Sequence, residues 1–151
     1  MADLQQGAEL PELKVTPDRY LTVRYAGASG DFNPIHIDEE FAKAVGLPGR
    51  ILHGLWTMAQ VARAAEQAGG GFRNLKRLSV QFRGMGQLEQ EITVTGSVGE
   101  AGDGRAVLEL EAAQGDQRRR EAAQALPRLR SAFPHLPNTG GPGTLVPVGH
   151  N

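Results

Sequence analysis

The sequence predicts an α+β domain in which an antiparallel sheet packs against one long helix. Residues 55–68 are apolar around most of a helical circumference, with polar side chains confined to a narrow strip, and such a helix is typically buried. The period then changes to two over residues 78–82, 92–98 and 108–112, where apolar and polar side chains alternate. The turns between these runs are expected at the glycine-containing stretches 84–86 and 99–104. A buried helix followed by such a meander is typical of α+β domains.

An edge strand and a first helix are expected near the start of the chain. Residues 9–15 alternate weakly around an early proline, which favours an edge strand. Thr16 and Pro17 then predict a helix start, because threonine is a good N-cap and a proline at the first helical position loses no hydrogen bond. The helical spacing ends at Gly27 and Gly30.

A second short helix is predicted from Asp38, whose carboxylate suits the positive end of a helix, to Gly46 and Pro48. The long helix ends at the triple glycine 69–71. A phosphate-binding role for these glycines is disfavoured because they follow a helix and do not precede one.

The composition describes a single domain without an electrostatic preference for polyanions. The chain has 151 residues, with 16 basic and 17 acidic side chains and a net charge of −1, so neither nucleic acid nor a membrane is an expected partner. There is no cysteine, which excludes disulfides and thiol chemistry. The first residues lack the pattern of a signal peptide, and no apolar run reaches bilayer length. We therefore expect a cytoplasmic protein.

Two interruptions of regular secondary structure in the first half of the chain carry groups that could act in catalysis. Asp31 and His36 lie five residues apart in a segment whose Gly, Asn and Pro content predicts neither helix nor strand. By turn chemistry alone, this segment is a loop in which Asp31 and Asn33 cap their own backbone. The second break, His53-Gly54, precedes the long helix and therefore places free N–H groups at a helix N-terminus.

The stretch from Tyr25 to His36 resembles the motif of the MaoC-like dehydratases and (R)-specific enoyl-CoA hydratases. That motif is an aromatic residue, a short gap, and then S-G-D-x-N-P-hydrophobic-H, and the later His-Gly pair matches as well. The resemblance extends over residues 10–115. It implies a hot-dog fold, in which an antiparallel sheet wraps around a central helix.

The resemblance also implies the catalytic groups of a hydro-lyase. Asp31 and His36 correspond to the pair that holds the reacting water, and the Gly54 N–H to the group that polarises a thioester carbonyl. These roles are chemically reasonable, because a carboxylate and an imidazole serve as acid and base. A helix N-terminus is also a preorganised site for developing negative charge.

Three further residues are candidates for substrate binding: Asn33, His53 and Trp56. Each has a simpler structural reading, since Asn33 forms an Asx-turn, His53 caps or packs at a helix start, and Trp56 packs in a core. A metal site is disfavoured because the sequence has no histidine pair at i, i+4 and no cysteine. We expect no metal and no cofactor.

The function implied is reversible addition of water to a trans-2-enoyl thioester, giving an (R)-3-hydroxyacyl thioester, in fatty-acid metabolism. The substrate would be an acyl-CoA or an acyl-carrier-protein thioester. Hot-dog domains usually pair, so a homodimer is expected, or a heterodimer with a second hot-dog subunit. The alternatives are a non-catalytic hot-dog partner subunit and a hot-dog acyl thioesterase.

The end of the chain departs from this family pattern. Residues 117–126 contain three arginines and several alanines but no β-branched residue, which favours helix over the expected last strand. Residues 127–151 are rich in proline and glycine, a composition that favours disorder. The sequence therefore predicts a domain over residues 1–126 and a disordered tail over residues 127–151.

Overall fold

The computed structural model describes residues 4–115 and the backbone of residues 131–134. The helices of this part are α1 (Leu21–Ser29), α2 (Pro34–Ile37), α3 (Glu39–Ala44) and α4 (Gly54–Gly69), with a 3₁₀ turn at Phe72–Asn74. The strands are β1 (Leu13–Val15), β2 (Arg77–Leu78), β3 (Ile92–Gly102), β4 (Arg105–Gln114) and β5 (Ser131–Pro134).

All strand pairs are antiparallel, and the order across the sheet is β1-β3-β4-β5-β2. The long helix α4 packs against β3 and β4. Its small side chains let the helix approach the sheet closely, and the core between them consists of these buried residues: Leu52, Val61, Ala64, Ala65, Ala68, Ile92, Val94, Val98, Ala106, Leu108 and Leu110. The predicted α+β architecture is confirmed.

Helix α1 begins later than the sequence predicts. The proposed N-cap, Thr16, lies outside the helix, because the Pro17 carbonyl accepts a hydrogen bond from the Glu89 N–H at 2.7 Å. Asp18 makes the turn instead, and its Oδ1 accepts from the Tyr20 N–H at 2.8 Å. Gly30 ends the helix with φ of 79°, a left-handed conformation that glycine adopts without steric cost.

The second helix and the end of the long helix agree with their predictions. Asp38 is the N-cap of α3, and its side chain accepts from the Phe41 N–H at 3.0 Å. Gly70, with φ of 74°, ends α4 as a left-handed C-cap.

The predicted meander is wrong in its first strand. Only Arg77 and Leu78 are in a strand, and β2 lies at the sheet edge beside β5, away from β3. Residues 79–91 leave the sheet, although Gln87 forms an isolated bridge with Ile51. Hydrogen bonds from the Gln114 side chain and the Leu52 N–H bind this segment, in place of the pairing expected of a meander strand.

The turn expected at 99–104 is shorter than predicted. Strand β3 continues to Gly102, because a bulge between Val98 and Glu100 shifts the register of its pairing with β4 without ending it. The chain reverses at Asp103 and Gly104, both with positive φ, as a tight two-residue hairpin requires.

Part of the predicted tail belongs to the sheet. Residues 131–134 form β5, which pairs with both β4 and β2, so the expectation of disorder is wrong for these four residues. Backbone hydrogen bonds to both neighbouring strands hold these residues in the sheet, whereas their composition does not indicate a strand. Residues 117–126 and the rest of 127–151 lie outside the described residues, and the domain boundary at 126 stays a prediction.

Candidate active site

The turn after α1 places the carboxylate of Asp31. The Ser29 hydroxyl donates to the Tyr25 carbonyl at 2.8 Å and accepts from the Asp31 N–H at 3.2 Å. Asp31 Oδ1 in turn accepts from the Asn33 N–H at 3.2 Å. The side chain of Asp31 is half exposed. Its second oxygen, Oδ2, faces His36 and His53, while Oδ1 stabilises the loop.

Helix α2 carries His36, and Asn33 caps that helix. The Asn33 side chain accepts from the Ile35 N–H at 3.2 Å, and Pro34 occupies the first helical position. The sequence predicted an irregular loop here, and the single helical turn of α2 is a correction. Its cause is local, because a good N-cap followed by proline is the pattern that starts a helix.

The protonation of the His36 ring follows from its partner. His36 Nδ1 lies 2.8 Å from the Ile51 carbonyl oxygen, and a carbonyl can only accept, so Nδ1 carries the proton. In the neutral ring, the lone pair is then on Nε2. That atom lies 4.0 Å from Asp31 Oδ2, a distance too long for a direct hydrogen bond but short enough for one water to bridge at about 2.8 Å from each atom.

His53 contacts both His36 and Asp31. Its side chain is 2% exposed, and its ring stacks on His36 with centroids 3.8 Å apart. His53 Nε2 lies 3.0 Å from the main-chain oxygen of Asp31, so Nε2 carries the proton. Within the described residues, His53 Nδ1 is buried without a hydrogen-bond partner.

Gly54 begins α4 immediately after His53. The first N–H groups of a helix have no partner within the helix, so they are available to an anionic or polarised oxygen. A Cβ at Gly54 would lie 3.1 Å from a ring carbon of Phe82. Phe82, whose side chain is exposed, therefore covers the start of this helix.

Glu39 connects α3 to the segment that bears the Ile51 carbonyl. Its Oε2 accepts from the Arg50 N–H at 3.1 Å, and its Oε1 lies 2.9 Å from Lys43 Nζ. The Arg50 N–H and then the Lys43 ammonium stabilise the carboxylate, and they lower the pKa of Glu39 from its ordinary value. Arg50 also donates to the Arg19 carbonyl at 3.3 Å.

A second carboxylate with a lowered pKa, that of Asp18, lies just before α1 and apart from Asp31 and His36. The guanidinium of Arg24, followed by the Tyr20 N–H, lowers the pKa of Asp18, and the same contact raises the pKa of Arg24. This exposed pair joins the turn before α1 to the helix that leads to Asp31.

Asp31, His36 and His53 offer atoms within 4.8 Å of one another, a distance that a metal ion could bridge. One feature of the geometry disfavours this use. His53 Nε2 is already directed at the Asp31 carbonyl, so it carries a proton and offers no lone pair, whereas every ligand of a metal ion must direct a lone pair at it. The arrangement fits a water better than a metal.

A family model described as MaoC like domain matches residues 3–117. This chain belongs to the MaoC-like domain family.

Curated relatives of this MaoC-like domain are much longer proteins. The fatty acid synthase beta subunit TOXC of Cochliobolus carbonum is 39% identical over 72 residues, which are 46% of this chain and 4% of that protein. The peroxisomal hydratase-dehydrogenase-epimerase of Saccharomyces cerevisiae is 52% identical over 48 residues, which are 32% of this chain and 5% of that protein. The chain therefore spans only a small fraction of these relatives.

The fold has close structural counterparts. The structure of R-hydratase PhaJ1 from Pseudomonas aeruginosa superimposes with a TM-score of 0.71 at 19% identity, covering 99% of this chain and 95% of the other. The hot-dog fold implied by the motif is thereby confirmed. No helix within the described residues combines the length and apolar character needed to cross a membrane.

The structure brings three of the predicted site residues of this MaoC-like domain together. Asp31, His36 and His53 lie within contact of one another, and Asn33 and Gly54 adjoin them in sequence. Trp56 packs against the hydrophobic core, and its role in substrate binding stays a prediction.

Two contributors to the site, Phe82 and the Ile51 carbonyl, have no functional signal in the sequence. The alternation of residues 78–82 predicts a strand that includes Phe82, and its covering position depends on the departure of residues 79–91 from the sheet. A main-chain carbonyl leaves no signal in the sequence.

Proposed function

We propose that this domain catalyses the reversible hydration of a trans-2-enoyl thioester to an (R)-3-hydroxyacyl thioester. The observation that supports this most strongly is the gap of 4.0 Å between Asp31 Oδ2 and His36 Nε2. Both atoms are acceptors when Asp31 is ionised and His36 is neutral, so together they can take both hydrogens of one water. Such a water presents its oxygen to an electrophilic carbon.

The reaction then needs one proton removed and one delivered. As the water oxygen attacks C3 of the enoyl group, Asp31 or His36 accepts a proton, and negative charge grows on the thioester oxygen. The Gly54 N–H at the start of α4 stabilises that charge. Return of a proton to C2 from the same face completes a syn addition, and the reverse sequence eliminates water. No redox step occurs, so the proposal requires no cofactor.

The named activities of relatives are consistent with this proposal. The yeast relative is a hydratase-dehydrogenase-epimerase, and the Cochliobolus relative is a fatty acid synthase beta subunit. We infer a substrate attached to CoA or to an acyl-carrier protein, a place in fatty-acid metabolism, and a homodimer or a heterodimer with a second hot-dog subunit. A cytoplasmic location stays a prediction.

Two other roles predict different behaviour. A non-catalytic partner subunit would not need a carboxylate and a histidine with a fixed lone pair at water-bridging distance. A thioesterase would release free thiol from its substrate, which hydration does not.

The test is an assay of the purified protein with crotonyl-CoA and longer trans-2-enoyl-CoAs, following loss of the conjugated thioester absorbance. The expected product is the (R)-3-hydroxyacyl-CoA, identified by chiral chromatography. A thiol reagent in parallel assays should detect no free CoA. Release of CoA without hydration would favour the thioesterase, and absence of both reactions would favour the non-catalytic subunit.

A further inference from the structure

We propose that Gln114, at the end of β4, is a positioning residue that fixes the proton of His36 through a relay of main-chain contacts. This inference rests on the proposed function, because it concerns the lone pair that His36 presents to the water. The relay runs from Gln114 to Gln87, from there to Ile51, and then to His36.

Gln114 holds the segment 79–91 by three hydrogen bonds. Its Oε1 accepts from the Gln87 N–H at 2.7 Å, and its Nε2 donates to the carbonyls of Gln87 and Gln90, both at 2.8 Å. The side chain is buried, with 7% of the residue exposed. Both donor hydrogens and one acceptor of the amide are therefore used, and the amide provides contacts that a neighbouring strand would otherwise make.

The same segment contacts the residues that precede α4. Gln87 forms an antiparallel bridge with Ile51, and the Gly86 carbonyl accepts from the Leu52 N–H at 2.8 Å. The approach is close, since a Cβ at Gly86 would lie 2.8 Å from Leu52 Cδ1. Any movement of residues 86–87 would therefore move Ile51 and Leu52.

Ile51 transmits the position of this segment to His36. Its carbonyl is the acceptor for His36 Nδ1–H at 2.8 Å, and this contact leaves the lone pair on Nε2, opposite Asp31. Without a fixed acceptor, a neutral histidine can place its proton on either nitrogen. Molecules with the proton on Nε2 present a donor to the water in place of its second acceptor, so the relay determines the fraction of active molecules.

The main variant is Gln114→Met, which keeps the length of the side chain but removes its donors and acceptor. We expect kcat for enoyl-CoA hydration to fall by about tenfold to a hundredfold, as is typical when a reacting group is misplaced, with KM little changed. The ¹⁵N shifts of the His36 ring, measured by NMR on the full chain, should change from the Nδ1–H form to a mixture of both forms.

Gln90→Ala is the matched control. It removes the side-chain hydrogen bond from Gln90 to Gln87 Oε1 but keeps the main-chain carbonyl that Gln114 contacts, so kcat and the His36 spectrum should match those of the wild type. Gln114→Glu is a second variant, which keeps an acceptor for the Gln87 N–H but places a carboxylate against two carbonyls. It should show the same two changes.

The two readouts separate this inference from the proposed function. If the wild type hydrates no enoyl thioester, the proposed function fails, while the ¹⁵N spectra still test the relay. The relay would be overturned if the His36 ring stayed in the Nδ1–H form in both Gln114 variants. It would also be overturned if Gln90→Ala lowered kcat as much as the Gln114 variants do. Failure of both Gln114 variants to fold would also overturn it, since Gln114 would then serve stability alone.

Discussion

The imidazole rings of His36 and His53 stack with their centroids 3.8 Å apart and their planes inclined at 26°. Each ring directs one N–H at a main-chain carbonyl, His36 at Ile51 and His53 at Asp31. The two carbonyls thus fix both protons, and the stack fixes the orientation of the rings. His53 therefore supports His36 through its ring face and Asp31 through its N–H.

We expect His53→Ala to lower kcat by about tenfold to a hundredfold with little change in KM, because a small displacement of reacting groups has effects of this size. His53→Gln, which can still donate to the Asp31 carbonyl, should recover part of the loss. Steady-state kinetics on enoyl-CoA substrates distinguishes this role from the substrate contact that the sequence suggested. A rise in KM with normal kcat would assign His53 to substrate binding.

The N-cap of α2 offers a test with an internal control. Asn33→Ala should destabilise the domain by about 1 kcal/mol, the usual effect of losing a helix cap, and should also lower kcat because α2 carries His36. Asp38→Ala removes the equivalent cap of α3, so we expect similar destabilisation with nearly normal kcat. Chemical denaturation and kinetics of both variants provide the comparison. Equal effects on kcat would show that α2 has no special role.

Gly54→Ala adds a methyl group 3.1 Å from the Phe82 ring. Because Phe82 is exposed and can move, we expect little change in melting temperature but a clear loss of activity from crowding of the carbonyl site. The double variant Gly54→Ala, Phe82→Ala removes the contact between the two side chains and should stay impaired. Full recovery of activity in the double variant would mean that Gly54 serves only to accommodate Phe82.

Glu39 should make the stability of the domain depend on pH in acid. Its pKa is lower in the folded state, so its contribution is fully present above the ordinary glutamate pKa of about 4.3. That contribution is lost as the pH falls through the lower folded value. Glu39→Gln should therefore be less stable than the wild type near neutral pH, and the difference should shrink in acid.

The control for this prediction is Glu40→Gln, which removes an exposed carboxylate from the same helix. Thermal melts of all three proteins from neutral pH to below pH 4 test the effect. A constant difference between Glu39→Gln and the wild type over this range would contradict it.

The local features of this protein were accessible from its sequence. The long helix, its glycine end and the Asp38 cap follow from periodicity and from side chains that act on their own backbone. Asp31 and His36 became candidates because the short motif that contains them resembles that of the MaoC-like dehydratases.

The features that were missed depend on contacts between distant parts of the chain. Residues 78–82 alternate like a strand, but the chain leaves the sheet after Leu78, and hydrogen bonds from Gln114 and Leu52 hold residues 86–90 outside it. Residues 131–134 join the sheet through backbone pairing, which the composition of the tail does not indicate. The role of the Ile51 carbonyl was equally inaccessible, because every residue has such a group.

The central claim is that Asp31 and His36 act as a unit on one water. The most direct test is the hydration rate of crotonyl-CoA by Asp31→Asn, His36→Ala and the double variant, with the fold of each checked by circular dichroism. We expect each single variant to lose about two to four orders of magnitude in kcat, and the double variant to be hardly worse than either, because groups that act together are not additive. Additive losses, or an active Asp31→Asn enzyme, would contradict the claim.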